Sequence, residues 1–345
     1  MLTGTRTADG TRTRTCRLCR GEADAIAHGA PEIVRCRACG LLSLAEFPPR
    51  EEREARYQDA YYAKDTGARF LGLIETALRF LKELRVRSIL RLCRGPGSIL
   101  DVGCGRGDLI QLFQERGWKA VGTQVSHTAA EAARRLRGVD VRIGELPGLS
   151  LPPESFDVVT FLHVLEHLDR PGDYLSGAWS LLRPEGVLVI EVPNCASPGF
   201  RWLERRSFTF DYPNHLVFYT PESLRRQLEG AGFEVLEVSH FRLEYSPYTT
   251  LQNLLNALPG QPNRLYRALQ RNHEGRALRR SPWTWVHAGV AVLLAVPALV
   301  LSVAGAAMGA GNTMTFHARK AGTERGRESG EGAGARAGGG EGTGS

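Results

Sequence analysis

The chain has 345 residues, 42% of them hydrophobic and 23% charged, with 39 glycines, 18 prolines and a formal net charge of +7. So ordinary an apolar share excludes a wholly disordered chain, and the lack of a three-residue glycine period excludes collagen. Seven cysteines over this length exclude a small disulfide-stapled scaffold, and a mean hydropathy of −0.23 excludes a polytopic membrane protein.

At about one domain per 150 residues, the length predicts two units plus extensions. Residues 1–15 are mostly Thr, Arg and Gly and read as a disordered lead. No apolar core follows Met1, the pattern of a chain that stays in a reducing cytoplasm. Residues 16–47 form a small cysteine-bearing module. Residues 51–96 are helical, with Phe70, Leu73, Ile74, Ala77, Leu78, Leu81 and Leu84 at the three-four spacing of one helix face. Residues 97–244 together with 312–320 alternate short apolar runs with helical patterns, the signature of a parallel α/β sheet. Residues 245–311 are an insertion, basic and then apolar. The tail 321–345 holds ten glycines and no large apolar side chain, and reads as disordered.

Within the module, Cys16-x2-Cys19 and Cys36-x2-Cys39 are two identical pairs. Four thiolates so spaced can close a tetrahedral shell around a structural zinc ion, with no position left for substrate. Two disulfides or free thiols are the alternative. Gly40 suits the left-handed residue of a zinc knuckle, whereas after the first pair that position falls to Arg20, one place before Gly21. Cys93, Cys104 and Cys195 are isolated and read as small buried hydrophobes.

The most informative stretch is Ser98-Ile-Leu-Asp-Val-Gly-Cys-Gly-Arg-Gly-Asp108. An apolar strand runs into Gly103, Gly105 and Gly107, where the backbone can turn sharply beside a ligand, and a helix over Leu109–Arg116 follows. Asp101 just ahead suits a cationic or amino-bearing ligand better than a pyrophosphate. This stretch resembles the first motif of class I S-adenosylmethionine-dependent methyltransferases of the type 11/12/23 kind, and later segments match in order. Val121–Ser126 resembles the second strand, Val141–Glu145 the third, Ser155–His163 the fourth, Gly186–Pro193 the fifth, Gly232–Val238 the sixth and Thr313–Ala318 the seventh. The resemblance implies a Rossmann-like seven-stranded α/β sheet carrying a small N-terminal zinc ribbon and an apolar helical insertion before its last strand. It implies S-adenosylmethionine as cofactor, held by Asp101, Gly103, Cys104, Gly105, Gly107, Gln124, Glu145 and Phe161, with Tyr61 and Tyr62 as a lid. Gln124 departs from the acid usual at that place, so it can meet a ribose diol without charge assistance.

On the acceptor side, His163-Val-Leu-Glu-His167 follows the fourth strand; if helical, it presents His163 and His167 on one face beside Glu166. Metal binding, acid/base work and a purely structural role are all open to this trio. Between strands five and six, Phe208–Pro221 gathers aromatics with Asp211 and His215. In methyltransferases resembling this chain such an insertion covers the acceptor pocket, which makes His215 the best single candidate for the catalytic base.

The insertion opens with Leu251, Leu254, Leu255 and Leu258 at helical spacing and continues with six arginines against Glu274 between Arg264 and Arg280. Trp283 and Trp285 precede residues 288–310, which carry no charge. Basic cluster, tryptophans and apolar run together resemble a membrane anchor. A straight crossing conflicts with a seventh strand that must pair beside the sixth, so the expectation is an in-plane or re-entrant helical hairpin bending at Pro297. An apolar helix pair buried on the domain or on a dimer partner is the alternative. The sequence therefore predicts a methyltransferase acting on a hydroxyl or carbon of a small-molecule, lipid or lipid-linked acceptor. It would sit peripherally or monotopically on the inner face of the cell membrane through residues 250–310. A sugar C-methyltransferase, a zinc-ribbon rRNA methyltransferase and a non-catalytic scaffold are the rivals; nucleic acid is not the expected partner, because the basic cluster abuts the apolar run.

Overall fold

The computed structural model describes residues 14–16, 18–27, 31–53, 72–270 and 273–321. Tyr61, Tyr62 and the tail beyond 321 lie outside the described residues, as do the side chains of 72–78. Four short strands come first: β1 (Arg14–Thr15), β2 (Glu22–Ala27), β3 (Ile33–Cys36) and β4 (Leu42–Leu44). They are antiparallel neighbours in order. Arg14 and Thr15, expected to be disordered, are instead held by pairing with Ala23 and Glu22.

After helix α1 (Gly72–Leu90), strands and helices alternate. Strand β5 (Ser98–Val102) leads to α2 (Asp108–Gln114), β6 (Lys119–Gln124) to α3 (His127–Arg137), and β7 (Asp140–Ile143) to β8 (Phe156–Leu162). Then come α4 (Pro171–Leu181), β9 (Leu182–Pro193), α5 (Pro198–Leu203), β10 (Val217–Phe218), α6 (Pro221–Gly230) and β11 (Phe233–Ser239). The insertion supplies α7 (Ser246–Asn256), α8 (Arg264–Leu269), α9 (His273–Arg279) and α10 (Pro282–Ala307), and β12 (Thr313–Lys320) ends the fold.

The seven-stranded sheet runs β11-β12-β9-β8-β5-β6-β7. Strands β5 to β9 are parallel, while β12 lies antiparallel between β9 and β11. This is the expected seven-stranded α/β architecture, with the order reversing between β5 and β8. The central strands are apolar because both faces are covered. One face packs Val86 and Ile89 of α1, Ile110 and Phe113 of α2 and Ala130 and Ala133 of α3. The other packs Leu175 and Ala178 of α4 and Leu224 and Leu228 of α6, in one core with Ile33, Leu42 and Leu44 of the cysteine module.

Two features of the insertion differ from expectation. Helix α10 runs unbroken through Pro297, so there is no hairpin. A single proline removes one backbone donor, and residues 291–301 around it include no Gly, Asn, Asp or Ser to complete a reversal. The leucines of α7 also do not define its buried face; Thr249, Gln252, Asn253 and Asn256 are buried along with Leu255. Their neighbour is the equally unusual inner stripe of α10, formed by Thr284, His287, Ala291, Ala298 and Ser302. The large apolar side chains of α10 point outward.

The joint core makes a stability prediction. Leu44 is 1% exposed, so Leu44→Ala should cost about 2–4 kcal/mol. Because module and sheet share that core, denaturant should unfold the full chain in one transition that shifts as a whole; an early transition confined to the module would contradict this.

Candidate active site

The turn after β5 is a backbone cradle. Gly103, Gly105 and Gly107 all take left-handed conformations, with φ of 69°, 55° and 74°. A Cβ on Gly103 would come within 2.7 Å of Val164, and one on Gly107 within 2.7 Å of Val139. The turn opens onto the first residue of α2, Asp108, which is paired with Lys82 at 2.5 Å and Arg137 at 2.6 Å. Asp101 lies buried at the end of β5 and accepts a 2.6 Å hydrogen bond from Thr160 Oγ1. Burial raises its pKa to about 6, against the opposing pull of that bond and of Arg85.

Other members of the expected cofactor set are placed less simply. Gln124 ends β6, and its Oε1 accepts from the Val125 amide at 2.9 Å. Glu145 begins a short turn after β7 and is paired with Arg50 at 2.6 Å. The Cys104 and Phe161 side chains do not face the cradle. Cys104 Sγ packs under Gly122, where an added Cβ would meet it at 2.5 Å, and Phe161 is fully buried in the core. Strand alternation sends Phe161 inward, and the turn leaves only the backbone of Cys104 at the cradle.

On the acceptor side, β8 ends at Leu162 and His163 takes φ of 55°. Only Leu165–His167 forms a single 3₁₀ turn, so His163 and His167 do not share a helical face. His163 Nδ1 lies 3.1 Å from Glu166 Oε1, its Nε2 lies 3.2 Å from Glu191 Oε1, and its ring packs edge-on against Tyr245. Burial would lower the His163 pKa, but the two carboxylates outweigh it and raise the pKa to about 10.

Glu191, on β9, is fully buried and is bound by Arg85 at 2.8 Å, Arg242 at 2.9 Å and Thr315 Oγ1 at 3.1 Å. Burial pushes its carboxyl up; Arg85, His163 and Arg242 hold it well below the usual carboxylate range. Arg85 also reaches Glu244 at 3.1 Å. Sequence reasoning missed this network. A glutamate in the otherwise apolar run Val-Leu-Val-Ile-Glu-Val was the available signal.

What joins His167 is His215. Their rings meet edge-to-face with centroids 4.7 Å apart. His167 Nδ1 is 2.9 Å from the Asn214 carbonyl, and His215 Nδ1 is 2.9 Å from the Thr209 carbonyl. The His167 pKa is lowered, by burial and then by His215. A carboxylate oxygen of buried Glu166 and one nitrogen from each imidazole lie within 4.8 Å of one another. Asp211 stays outside this cluster: its Oδ2 accepts from Asn214 Nδ2 at 3.0 Å and its carbonyl from the His215 amide at 2.9 Å. It shapes the turn that carries His215.

The loop bearing His215 is held from three directions. The Leu216 amide donates to the Glu166 carbonyl at 2.8 Å, and its own carbonyl accepts from the Leu44 amide at 2.9 Å. Strand β10 then pairs with β4, completing the module's sheet. From the insertion, Asn253 Oδ1 accepts from the Phe208 amide at 2.8 Å. In the module itself, Cys16 Sγ and Cys39 Sγ are 3.6 Å apart, Cys19 Sγ and Cys36 Sγ 3.4 Å, and all four sulfurs lie within 4.8 Å of one another. Amides of Leu18 and Cys39 point at sulfur, each at 3.4 Å. Arg20 and Gly40 are both left-handed, as the spacing predicts.

Two predictions follow from this geometry. Gly103→Ala must place a Cβ in left-handed backbone and against Val164, costing at least about 1–2 kcal/mol, to be read as a lowered thermal midpoint. His163 has a raised folded pKa, so its contribution to stability is complete below its unfolded value near 6.5 and is lost as pH rises toward 10. His163→Gln should remove that part of the alkaline decline in denaturation midpoint; an unchanged slope would take the pair with Glu166 and Glu191 out of the account.

A family model described as "Methyltransferase domain" matches residues 73–238. A protein of Azorhizobium caulinodans named ubiquinone biosynthesis O-methyltransferase is 31% identical over 198 residues, covering 52% of this chain and 70% of that protein. A protein of Mycolicibacterium smegmatis named as a probable S-adenosylmethionine-dependent methyltransferase is 33% identical over 175 residues, covering 49% of this chain and 65% of its own length, just under two thirds. The crystal structure of a SAM dependent methyltransferase from Archaeoglobus fulgidus aligns with 70% of this chain and 94% of its own, at 21% identity and a TM-score of 0.45. Sheet order, the glycine cradle and the Azorhizobium relative agree: the chain belongs to the S-adenosylmethionine-dependent methyltransferases.

Proposed function

We propose that the chain methylates a hydroxyl group of an amphipathic or lipid-linked small molecule taken up at a membrane surface. The single observation that carries this reading is the inverted helix α10. It buries a small, polar stripe and exposes its apolar face, with Val292 and Leu293 each 77% exposed. A core helix does the reverse, and so continuous an exposed apolar strip calls for a nonaqueous partner. Among the described residues α10 is the one helix long and apolar enough to cross a bilayer. Both its flanks nevertheless belong to one sheet, since α7 follows β11 and β12 pairs back onto it. An in-plane position, with Trp283 and Trp285 exposed beside the arginines, satisfies both facts. Asn253 ties this same insertion to the His215 loop, so a membrane-facing element and the acceptor side are mechanically joined.

The hydroxyl is suggested by the relatives named as O-methyltransferases. The residues of the cradle suit the cofactor: three left-handed glycines give the turn a tight backbone course that side chains would strain, and Asp101 offers a carboxylate to an amino-bearing ligand. When bound, S-adenosylmethionine supplies an electrophilic sulfonium methyl group. The protein's own task is then to hold the acceptor oxygen in line, within about 3–3.5 Å, and to let its proton leave. The Glu166–His167–His215 cluster is where this chain offers lone pairs for that purpose. Gln124 and Glu145 remain at the ends of β6 and β7, where the ribose and adenine would be met. The four thiolates suit a structural zinc ion that stiffens the module; neighbouring sulfurs around a zinc ion with bonds of about 2.3 Å sit roughly 3.8 Å apart.

Titration calorimetry with S-adenosylhomocysteine should give saturable heat with the full chain and none with Gly105→Val; no heat from the full chain sinks the methyl-transfer reading. Flotation with vesicles of mixed neutral and anionic lipid should carry the full chain upward. The triple variant Val292→Glu, Leu293→Glu, Val296→Glu should stay behind while still binding S-adenosylhomocysteine. Equal flotation of the two would remove the membrane from the account.

A further inference from the structure

We propose that the cysteine module is a positioning element for the acceptor side, setting the backbone that carries His167 and His215 from outside the catalytic sheet. The assignment rests on reading that side as the place of methyl transfer, and the four thiolates as ligands of a structural zinc ion. It adds a route from the thiolates to the two imidazoles, with Leu44 and Arg53 as the positioning residues.

Three observations carry it. The strands of the module are too short to hold their course by ladder bonds alone: β1 has two residues, β3 four and β4 three. The cysteines stand where those strands turn. Cys16 directly follows β1 and Cys36 ends β3. The Cys16 carbonyl accepts from the Arg20 amide at 3.0 Å, and the Cys36 carbonyl from the Gly40 amide at 3.1 Å. Drawing the four sulfurs onto one ion therefore fixes both knuckles, and β4 begins just beyond the second.

Next, β4 passes that placement on. Its register on β10 pairs Leu42 with Phe218 and Ser43 with Val217. The Leu44 amide donates to the carbonyl of Leu216, the residue after His215, at 2.9 Å. Strand β10 has only two residues of its own, so its course is set by β4. Finally, the chain leaving the module returns to the other imidazole. Arg53 donates through Nε to the Pro48 carbonyl and through a terminal nitrogen to the His167 carbonyl, both at 3.3 Å.

Both grips are on backbone oxygens, so they place the rings and leave the ring nitrogens alone. The rings meet at 4.7 Å, and displacing either one moves the pair. Methyl transfer needs the acceptor oxygen in line within about 3–3.5 Å, so a displaced module costs acceptor geometry first. The cofactor side meets the same segment through Arg50 and Glu145, whose side chains are 57% and 33% exposed. A pair so placed is worth at most about fivefold in affinity.

The test reads the imidazole Cε1 proton resonances of the full chain by NMR, beside its zinc content and titration calorimetry with S-adenosylhomocysteine. His127, exposed on α3, is the internal control. Cys19→Ser, at the exposed cysteine of the set, should lower the zinc content and shift or broaden His167 and His215 while His127 stays in place. Its affinity for S-adenosylhomocysteine should remain within about fivefold of the unmodified chain's. Arg53→Ala should keep its zinc and move the same two resonances. Arg53→Lys, which still offers a donor to the His167 carbonyl, should return them toward their original positions. Should Cys19→Ser fail to fold, the two Arg53 variants decide the matter. A full chain without zinc overturns the proposal, and so do imidazole resonances indifferent to Arg53→Ala or a His127 shift equal to theirs. Loss of S-adenosylhomocysteine binding by the unmodified chain would refute the methyl-transfer reading instead, because the resonances are read without turnover.

Discussion

The acceptor side of this molecule is organised around one buried carboxylate. Glu191 sits in the apolar run Val-Leu-Val-Ile-Glu-Val, and it is tolerated there because two arginines and a histidine converge on it. Each comes from a different element: Arg85 from α1, His163 from the end of β8, Arg242 from the segment after β11. An ion buried in this way is costly on its own, and removing any one partner leaves an uncompensated charge worth about 3–5 kcal/mol. The arrangement therefore gives specificity more than net stability. It allows one placement of α1 against the sheet, one course for the chain leaving β11, and one conformation for His163 at φ of 55°. Glu166 is aimed by the same His163, so the geometry of the histidine cluster is inherited from Glu191.

How much of this was legible beforehand depends on range. Local patterns are legible: the seven strands lie within a few residues of their expected bounds, the glycine stretch makes the expected sharp turn, and Arg20 and Gly40 are left-handed as the cysteine spacing predicts. Those features follow from periodicity and from backbone sterics, which act over a few residues. The misreadings were non-local. His163 was grouped with His167 by their spacing, but the backbone makes only one 3₁₀ turn there, and Glu191, remote in sequence, claims the first ring. Leucines of α7 were expected inside, yet the buried face is rich in amides because the surface it meets on α10 is polar. Cys104 lies within the cradle, but its side chain turns away to pack under Gly122, and Phe161, on the neighbouring strand β8, is buried in the core.

The insertion and the cysteine module, far apart in the chain, converge on one loop. Asn253 holds its beginning at Phe208, and β4 holds its end at Leu216 and Val217. A loop rich in aromatic residues thus has both ends fixed, and its middle is packed as well, with Phe208 edge-on to Tyr248 and Tyr266. Phe210 stacks on Phe218 at 5.2 Å, continuing the module's core beneath it. Neither appendage touches the sheet order, so both could be added to the common scaffold without disturbing it.

The pairing of β4 with β10 also bears on synthesis. Ser43 and Leu42 wait for Val217 and Phe218, some 175 residues later in the chain. Until that stretch leaves the ribosome, β4 is an open edge with unsatisfied backbone groups, and such edges recruit other strands. The module emerges first but can close its sheet only when most of the catalytic domain has emerged. A segment made ahead of the catalytic domain is thus finished only with it, and the interval is one in which a growing chain needs shielding from its neighbours.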